Sequence, residues 1–533
     1  MVGTSHPALA LTLGIIAMLA MIPIAAGARS ARAHGDWDST TTFVFLVGIL
    51  TSLPRILLGL ISPGNATVDA FGNVDVALTG WAYRVEQMTT GFLVVGGLLF
   101  FAHRCLRPHT RINGLPLIAI LLWLTIGLSD GLNHHPMFSP RQLALFALLL
   151  AAVVARPGRS ALLGAAAVGL LLATLGGVEA LVHSDAVFRE CRSDKCGPLG
   201  TLYTGIFVNE NLYGLPLALS VPFIWLAVRG PARIVLAIYV AAIACITGSR
   251  TSEIAALAAL AVLLALRPSI TDDPSTASSP SREAPSARSL LALLTVTGAA
   301  CAGLVLPFLN LNPDSLSQRV YFWDLARGQI SSSPIYGLGS NAWQHLYDVG
   351  QIPVALTYSV HNQWLDVLYT GGSIGLFLFV LLLVFSLIRS APVNLLAAAC
   401  VLIPFLAASA LERPWSFGIS DELSFTLLAA MLAPAGRLSP ETSWKPFPLR
   451  SLSVDTAFAA KNLRTPAYAM GPPVTTATTK DEGATPGHAP SFAPAGNAAS
   501  PRLPRRTVAA IVTLGLVYAL TSPRRRARRA LRR

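Results

Sequence analysis

Long apolar runs fill most of the first 436 residues and constrain the fold more than any other feature. A membrane-spanning helix needs about 20 mostly apolar residues. We find such runs near residues 8–26, 41–61, 89–102, 115–128, 142–155, 161–182, 211–228, 234–248, 252–266, 289–309, 364–388, 393–411 and 418–436. Only 12% of the chain is charged, against about a quarter in a soluble domain. The sequence therefore predicts an all-α fold, a polytopic transmembrane helical bundle of about 12–14 spans.

Arginines alternate between the connecting loops, and this alternation predicts how the bundle is oriented. One set of loops holds thirteen arginines, at positions 29, 32, 104, 107, 111, 156, 159, 229, 233, 267, 282, 288 and 389. The other set is more than twice as long and holds nine basic residues. Because short cytoplasmic loops are enriched in arginine and lysine, we place the second set outside: residues 62–88, 129–141, 183–210, 249–251, 310–363 and 412–417.

The chain divides into four predicted regions. Residues 1–182 form N-terminal transmembrane helices, and residues 183–436 form a second transmembrane core with the long external loop 310–363. Residues 437–505 are rich in Pro, Ala, Thr and Gly, a composition typical of disorder, and we expect a cytoplasmic tail. Residues 506–533 combine a short apolar segment with an arginine-rich terminus.

The net charge of +13 does not indicate a nucleic-acid-binding surface. Ten arginines lie in residues 502–533, so the remaining 501 residues carry only about +3. We expect the terminal cluster to contact anionic membrane lipids and predict no nucleic-acid partner.

Sequence motifs give no sign of a metal or cofactor. The chain lacks a phosphate-cradling Gly-rich loop, an HExxH motif and a CxxC pair. Cys191 and Cys196 share one external loop, where they form either a local disulfide or two free thiols. We therefore predict no metal site and no cofactor, and expect the chemistry to come from the external loops.

Two asparagines precede an apolar helix in the sequence GIFVNENLYG. Asn209 and Asn211 are candidates to bind a polar ligand at the membrane surface, and the alternative is that they cap the helix. The turn TGSRTSE lies between two apolar runs and places Arg250 at the membrane boundary, where an arginine is costly unless it pairs or binds something. Glu253 is a candidate ligand contact or an ion-pair partner of Arg250.

The long external loop contains the sequence RVYFWDLARGQI. Arg319, Trp323 and Arg327 follow an i, i+4, i+8 spacing, which places them along one flank of a helix. Such a flank suits a helix that lies in the membrane interface, and we expect Trp323 and Arg327 to anchor it there.

The last polar group of interest surrounds a histidine at the start of an apolar helix. His361 is a candidate general base, because a neutral imidazole can accept a proton from a sugar hydroxyl, although a histidine at this place also serves as a cap. Asn362 follows it directly. Glu412 and Arg413 add a carboxylate and a guanidinium at another helix junction. They are candidates to contact the ligand, and the alternative is that they pair with each other.

Several motifs, in this order, resemble the O-antigen ligase and O-antigen polymerase family of bacterial membrane glycosyltransferases. They are GIFVNENLYG, the TGSR turn, RVYFWDLARGQISSSPIYGLGSNAW and HNQWLDVLYTGGSIGL, and they cover about residues 200–380. The resemblance implies transfer of a glycan from a polyprenyl-diphosphate carrier to a glycan, lipid or protein acceptor. The reaction takes place on the outer face of the bacterial inner membrane and needs neither a nucleotide sugar nor a metal.

The resemblance also implies roles for three residues. His361 matches the family's essential histidine, a base or hydroxyl-orienting group. Arg250 matches a diphosphate ligand, and Arg319 matches an arginine that organises the pocket. Many members carry a further arginine just before the glycine of the GIFVN motif, where this chain has Leu202-Tyr203-Thr204; Arg189 and Arg192 are the candidates to replace it.

Two other functions fit the same sequence features. A transporter or flippase of lipid-linked glycans also needs apolar spans and a few cations, but transporters place polar residues near the bilayer midplane, whereas this chain collects them at one face. A scaffold that recruits cytoplasmic partners through its tail is the third alternative.

Overall fold

A computed structural model describes residues 6–61, 67–68, 74–75, 80–107, 110–192, 195–268, 286–312, 316, 319–352, 359–390 and 394–433. The predicted tail at 437–505 and the arginine-rich terminus at 506–533 lie outside the described residues.

Each of the thirteen apolar runs contains a helix, which confirms the predicted all-α transmembrane class. These helices are α1 (Pro7–Ala33), α2 (Ser39–Ile61), α3 (Gly80–Cys105), α4 (Gly114–Leu132), α5 (Pro140–Val154), α6 (Arg159–Val182), α8 (Glu210–Ala227), α9 (Ala232–Ile246), α10 (Arg250–Leu266), α11 (Ala287–Val305), α14 (Gln363–Ser390), α15 (Leu395–Ser409) and α16 (Ser424–Met431).

Seven of the described helices are long and apolar enough to cross a membrane: α1, α2, α3, α4, α6, α11 with the 3-10 turn that follows it, and α14. The apolar helices α5, α9 and α15 have 15 residues each, fewer than the roughly 20 needed for a full span. The chain is thus a multi-pass membrane protein in which long spans surround shorter helices.

Short elements occupy the loops. A single-turn helix, α7, covers Ser184–Val187, and a 3-10 helix covers Leu306–Phe308. The long loop carries α12 (Arg319–Ile330) and α13 (Ala342–Asp348), as predicted for 310–363. Two antiparallel pairs of two-residue strands complete the described secondary structure: β1 (Thr67–Val68) with β2 (Val74–Asp75), and β3 (Phe188–Arg189) with β4 (Leu202–Tyr203).

The centre of the bundle is built around α8, which is buried along almost its whole length. It packs against α6, α9 and α10, and α10 packs against α15. Most of the buried residues of α10 are small, among them Ala255, Ala256 and Ala259. Small side chains let helices approach closely in a bilayer, where association depends on van der Waals packing.

Helix α14 is broken two turns after its start, at Gly372, which has φ +63°. A segment of the long loop fills the break. Leu338 N donates to Tyr369 O at 2.8 Å, and Gly339 N donates to Thr370 O at 3.0 Å. Beyond the break, Ser373 N donates to Pro334 O at 2.9 Å.

This loop segment, residues 334–341, is called the re-entrant segment below. It is also held by α4: Ser129 Oγ donates to Tyr336 O, and Asn133 Nδ2 donates to Gly337 O at 3.1 Å. Asp130, fully buried, accepts hydrogen bonds from Ser340 Oγ at 2.8 Å and from Asn341 N at 3.0 Å. Irregular backbone at membrane depth is tolerated where protein surrounds it, and these contacts provide that setting.

These contacts bring together two of the low-arginine loops, 129–141 and 310–363, and the end of the bundle where they meet is called the site end below. Contacts between the other loops lie at the opposite end. There, Arg229 Nε and Nη2 donate to the Asp36 carboxylate at 2.8 and 3.0 Å, and Arg389 donates to Asn113.

Candidate active site

His361 lies at the site end, directly before α14. Its backbone has φ +54°, and its N–H donates to Ser359 Oγ at 3.2 Å. The side chain is 22% exposed, and its ring lies 6.3 Å from the ring of Phe322. The imidazole is thus partly enclosed by α12 and remains open on one side.

The carboxylate of Glu412 joins His361 to Arg319. Glu412 Oε2 lies 2.9 Å from His361 Nδ1, and Glu412 Oε1 accepts a hydrogen bond from Arg319 Nη2. Glu412 itself is buried. Two of the three residues with predicted catalytic roles are thereby connected through a residue predicted only as a ligand contact.

Glu412 reaches His361 because the chain on both sides of it is tied to the start of α14. Asn362 Nδ2 donates to Ala410 O at 2.9 Å and to Gly303 O at 3.0 Å, and Asn362 Oδ1 accepts from Leu365 N at 2.9 Å. Gln363 Oε1 accepts from Trp415 N at 2.8 Å. The predicted ligand contact Asn362 therefore has its amide fully engaged by the protein.

The charge of Glu412 is strongly stabilised. Burial disfavours its ionised form, but the adjacent Arg319 guanidinium and the His361 ring outweigh burial and lower the pKa of Glu412 to about 2. A carboxylate at Nδ1 fixes the imidazole with a hydrogen on that atom, which leaves Nε2 as the proton acceptor.

Arg413 pairs with Asp366, and Glu412 pairs with Arg319 and His361, so the alternative of a Glu412–Arg413 pair is wrong. Arg413 Nη1 lies 3.9 Å from Asp366 Oδ1. Asp366 is buried in the first turn of α14 and is within electrostatic reach of both Arg413 and His361. A second charged group therefore adjoins the histidine.

Helix α12 lies against the protein, and the prediction that its Trp323 anchors a helix in the membrane interface is wrong. Trp323 is fully buried in a small core with Val320, Leu365 and Tyr369, and Arg327 forms an ion pair with Asp324 on its own helix. The i, i+4 spacing correctly indicated one face but could not show what that face contacts. This packing holds Arg319 over Glu412.

The asparagines of the GIFVN motif lie beside a buried lysine that sequence reasoning missed. Asn209 caps α8, with its side-chain oxygen accepting from Asn211 N at 2.7 Å, as the capping alternative predicted. Lys195 Nζ donates to Glu210 Oε1 at 2.6 Å and to Asn211 Oδ1 at 2.8 Å. Burial lowers the pKa of Lys195, although Glu210 opposes this effect. In the sequence, the only indication of a role for Lys195 was its position next to Cys196 in a polar loop.

A disulfide between Cys191 and Cys196 closes the loop that carries Lys195, so the disulfide alternative is the one observed. Backbone hydrogen bonds between Arg192 and Lys195 join the two sides of this loop. Lys195 is therefore held by the backbone hydrogen bonds of its loop, and its ammonium group is held by side chains at the start of α8.

Arg250 begins α10, close to the same loop. Ser249 caps the helix by accepting from Ser252 N, and Arg250 is exposed at the surface of the site end. A Cβ on Gly197 would come within 3.4 Å of Gly248 Cα, so the backbones that carry Lys195 and Arg250 touch. Glu253 lies half-buried in the first turn of α10.

An electrostatic interaction links Lys195 to the cluster of His361, Glu412 and Arg319. The charge of Glu412 acts on Lys195 and raises its pKa, against the larger effect of burial. The site end thus gathers a histidine with a fixed ring, a carboxylate and several cations in one region. Such an arrangement can accept a proton and stabilise an anionic leaving group.

Arg189 is one of the two candidates for the family's further arginine. It lies in β3, where burial lowers its pKa despite the opposing charge of Glu210. Among the described residues its buried Nη1 has no hydrogen-bond partner, and the side chain lines a small cavity beside Glu179 and Phe207. Arg189 therefore keeps one buried donor that these residues do not satisfy.

Among the residues that the structure describes, no group of three or more His, Cys, Asp or Glu is arranged to hold a metal ion. The fold and the site define an all-helical, multi-pass membrane protein with a polar, cation-rich cluster at one end of its bundle.

The family model described as O-antigen ligase matches residues 235–380. This match confirms the family predicted from the order of the motifs, and its range includes Arg250, Arg319 and His361. Residues 235–380 thus match an O-antigen ligase domain, and this match supports a membrane enzyme of glycosyl transfer. Searches of curated proteins and of solved structures found no match to the chain.

Proposed function

We propose that this protein transfers a glycan from a polyprenyl-diphosphate carrier to an acceptor hydroxyl at the outer face of the bacterial inner membrane. The observation that carries this proposal is the contact of Glu412 with His361 Nδ1, since His361 lies within the residues that match the O-antigen ligase family model. A histidine oriented by a carboxylate is an effective general base.

In the proposed reaction, His361 Nε2 accepts the proton of the acceptor hydroxyl. The acceptor oxygen then forms a bond to the anomeric carbon of the donor glycan, and the bond from that carbon to the diphosphate oxygen breaks. The diphosphate carrier leaves with the electron pair. Fixed cations in a site with little water stabilise that developing charge.

Glu412 and Arg319 act through the histidine. The carboxylate stabilises the imidazolium that forms when Nε2 takes the proton, and Arg319 keeps the carboxylate ionised in its buried place. Both are therefore positioning residues.

Arg250 is the proposed ligand of the diphosphate, because it combines exposure at the site end with a backbone position fixed against the Lys195 loop. Lys195 adds a second positive charge to the same region. Since these side chains supply the charge that the leaving group requires, we expect transfer to proceed without a divalent metal. EDTA should leave the rate unchanged, and a loss that Mg²⁺ restores would contradict this expectation.

The other predicted ligand contacts fall into two groups, according to whether they have side-chain amides that already form hydrogen bonds within the protein. We propose that Glu253 and Arg413 contact sugar hydroxyls directly. The side-chain amides of Asn209, Asn211 and Asn362 form hydrogen bonds to other protein groups. We propose that these three residues shape the substrate site without contacting the substrate.

The test is transfer of a glycan from a purified polyprenyl-diphosphate donor by protein in lipid nanodiscs. His361→Ala should lower the rate at least 100-fold, while His103→Ala, an exposed histidine at the opposite end of the bundle, should leave it unchanged. Arg250→Ala should slow transfer with little change in acceptor KM. Wild-type rates in His361→Ala would contradict the mechanism, and wild-type rates in Arg250→Ala would contradict the phosphate assignment alone.

Two cellular measurements complete the test. Ser331 is exposed in the long loop, so Ser331→Cys in a Cys301→Ser background should react with a membrane-impermeant maleimide on intact spheroplasts. Protection of this cysteine until the spheroplasts are lysed would contradict the outer-face placement.

Deleting the gene should leave long undischarged glycans on the carrier if the enzyme is a ligase, and single units if it is a polymerase.

A further inference from the structure

A cluster of arginines lies at the end of the bundle opposite the site end, where α3 and α5 finish. Arg104 is in the last turn of α3, Arg107 follows two residues after that helix, and Arg156 follows two residues after α5. Arg107 and Arg156 are exposed, and Arg104 is partly buried. The charges of Arg107 and Arg156 both act on Arg104, so the three guanidinium groups share one region. The reaction proposed above uses none of them.

Hydrogen bonds to neighbouring elements hold this arginine cluster in place. Arg104 Nε donates to Val154 O at 3.2 Å, which joins the end of α3 to the end of α5. Arg107 N donates to Arg104 O at 3.0 Å, and Arg156 N donates to Thr40 Oγ1 of α2 at 3.3 Å. The three arginines are therefore brought together by the fold itself, and a ligand would not have to assemble them.

The nearby acid does not neutralise the cluster. Among the described residues, Asp38 is the carboxylate whose charge acts on Arg104. Asp38 Oδ1 accepts hydrogen bonds from Thr40 N at 2.8 Å and from Thr41 N at 3.0 Å, and so caps α2. Three arginines against one aspartate leave two positive charges in excess. Because like charges in one region repel each other, an anion that lay among the arginines would stabilise the cluster.

An apolar surface adjoins the cluster along α3. Leu106, between Arg104 and Arg107 in the chain, is 75% exposed, and Leu99 is 64% exposed. Leu99 lies five residues, or roughly 7.5 Å of helix, before Arg104. Helix α3 is long and apolar enough to cross a membrane, and most of it is not buried within the protein. A ligand at this place would therefore meet guanidinium groups at the end of the helix and an apolar surface along its side.

We propose that this cluster binds an anionic phospholipid that carries two phosphate groups, with the phosphates on Arg104, Arg107 and Arg156 and the acyl chains along α3. The two negative charges of such a lipid match the two positive charges in excess. Guanidinium groups bind phosphate oxygens through paired N–H donors, and basic pockets between membrane helices bind head groups of this kind. The binding is independent of the transfer reaction proposed above, because it takes place at the other end of the bundle.

The binding test titrates tetraoleoyl cardiolipin, which has two phosphates, against the full chain in detergent micelles and counts the bound lipids by native mass spectrometry. We expect saturable binding whose Kd rises at least tenfold in Arg107→Gln/Arg156→Gln. Both side chains are exposed, so this variant should fold as wild type does. The matched control is Arg29→Gln/Arg288→Gln, which removes two exposed arginines of α1 and α11 and should leave the Kd unchanged.

Other probes separate the parts of the proposal. Dioleoyl phosphatidylglycerol, with one phosphate and a net negative charge, should bind at least tenfold less tightly than cardiolipin, and equal affinity would overturn the assignment of two phosphates. Inorganic pyrophosphate at the same concentration should not displace cardiolipin. Displacement would overturn the lipid assignment and identify a site for soluble diphosphates.

Absence of saturable binding, or an equal Kd in wild type, the cluster variant and the control variant, would overturn the proposal. The unfolding midpoint is a second measurement, because a lipid that binds the folded state raises it. Cardiolipin should raise the midpoint of wild type and of the control variant, and an equal rise in Arg107→Gln/Arg156→Gln would also overturn the proposal. Since His361→Ala should bind cardiolipin as wild type does, failure of the transfer function is distinguishable from failure of this site.

Discussion

Glu412 Oε2 lies 2.9 Å from His361 Nδ1, although 51 positions separate the two residues in the chain. The segment from Ala410 to Trp415 is bound by the side chains of Asn362 and Gln363, which hydrogen-bond to its backbone on both sides of Glu412 and so fix this contact. The same carboxylate binds Arg319, and the three residues therefore form one unit.

Replacing Glu412 with Gln should lower the transfer rate by about 10²-fold or more, because the imidazolium loses its stabilising charge and Arg319 loses its partner. The rate constant at saturating donor and acceptor is the measurement. Glu190→Gln, an exposed glutamate of the disulfide loop region, is the matched control and should behave as wild type. Equal rates in the two variants would show that Glu412 does not act on the base.

Acid should remove the stabilising effect of the Glu412 charge over a defined range. The folded state holds the pKa of Glu412 at about 2, below its ordinary value of 4.5. The contribution is therefore fully present above pH 4.5 and is lost as the pH falls towards 2; its size is on the order of 3 kcal/mol.

This pH dependence is checked by thermal unfolding of wild type and Glu412→Gln between pH 2 and pH 8. The difference between their midpoints should be constant above about pH 5 and should shrink below it. A difference that grows on acidification would contradict the assigned direction of the shift.

The break in α14 should be intolerant of a side chain. Gly372 has φ +63°, and a Cβ there would lie 2.2 Å from Ile335 O of the re-entrant segment. Gly372→Ala should destabilise the protein by about 3 kcal/mol or more, measured as a lower unfolding midpoint. In Gly371→Ala, the new Cβ lies 3.4 Å from its nearest neighbour, so this variant should be close to wild type. Similar midpoints for the two variants would contradict the described break.

Removing the disulfide should loosen Lys195. The double variant Cys191→Ser/Cys196→Ser loses a short closed loop, worth roughly 2 kcal/mol in the chain-entropy relation, and the transfer rate should fall several-fold. Wild type treated with a reductant should show the same change, and Cys301→Ser should show none. An unchanged rate in the reduced wild type would mean that the loop holds Lys195 without its disulfide.

The helices were predictable from the sequence because each lipid-facing or buried helix requires a continuous apolar run, and every one of the thirteen runs contains a helix. The gathering of polar residues at one end followed from loop charge alone. The motifs also sufficed to predict the family, and the three residues that they single out, His361, Arg250 and Arg319, lie within the matched range.

Contacts between distant segments were not predictable. The pairing of Glu412 with His361 depends on Asn362 and Gln363, whose amides look like ordinary helix-start residues. The sequence around Lys195 showed only an adjacent cysteine in a polar loop, because the burial of Lys195 follows from the docking of its loop on α8 and α10. Trp323 was assigned to the membrane interface because helical spacing defines a face without showing whether lipid or protein covers it.

The re-entrant segment has a consequence for engineering relatives with exchanged specificity. Residues 334–341 supply the hydrogen-bond partners that the interrupted backbone of α14 lacks, and α4 holds them through Asp130. A chimera that replaces the long loop alone would therefore mismatch two spans of the recipient. A functional chimera should therefore exchange the loop, the site-end turns of α4 and the first three turns of α14 together.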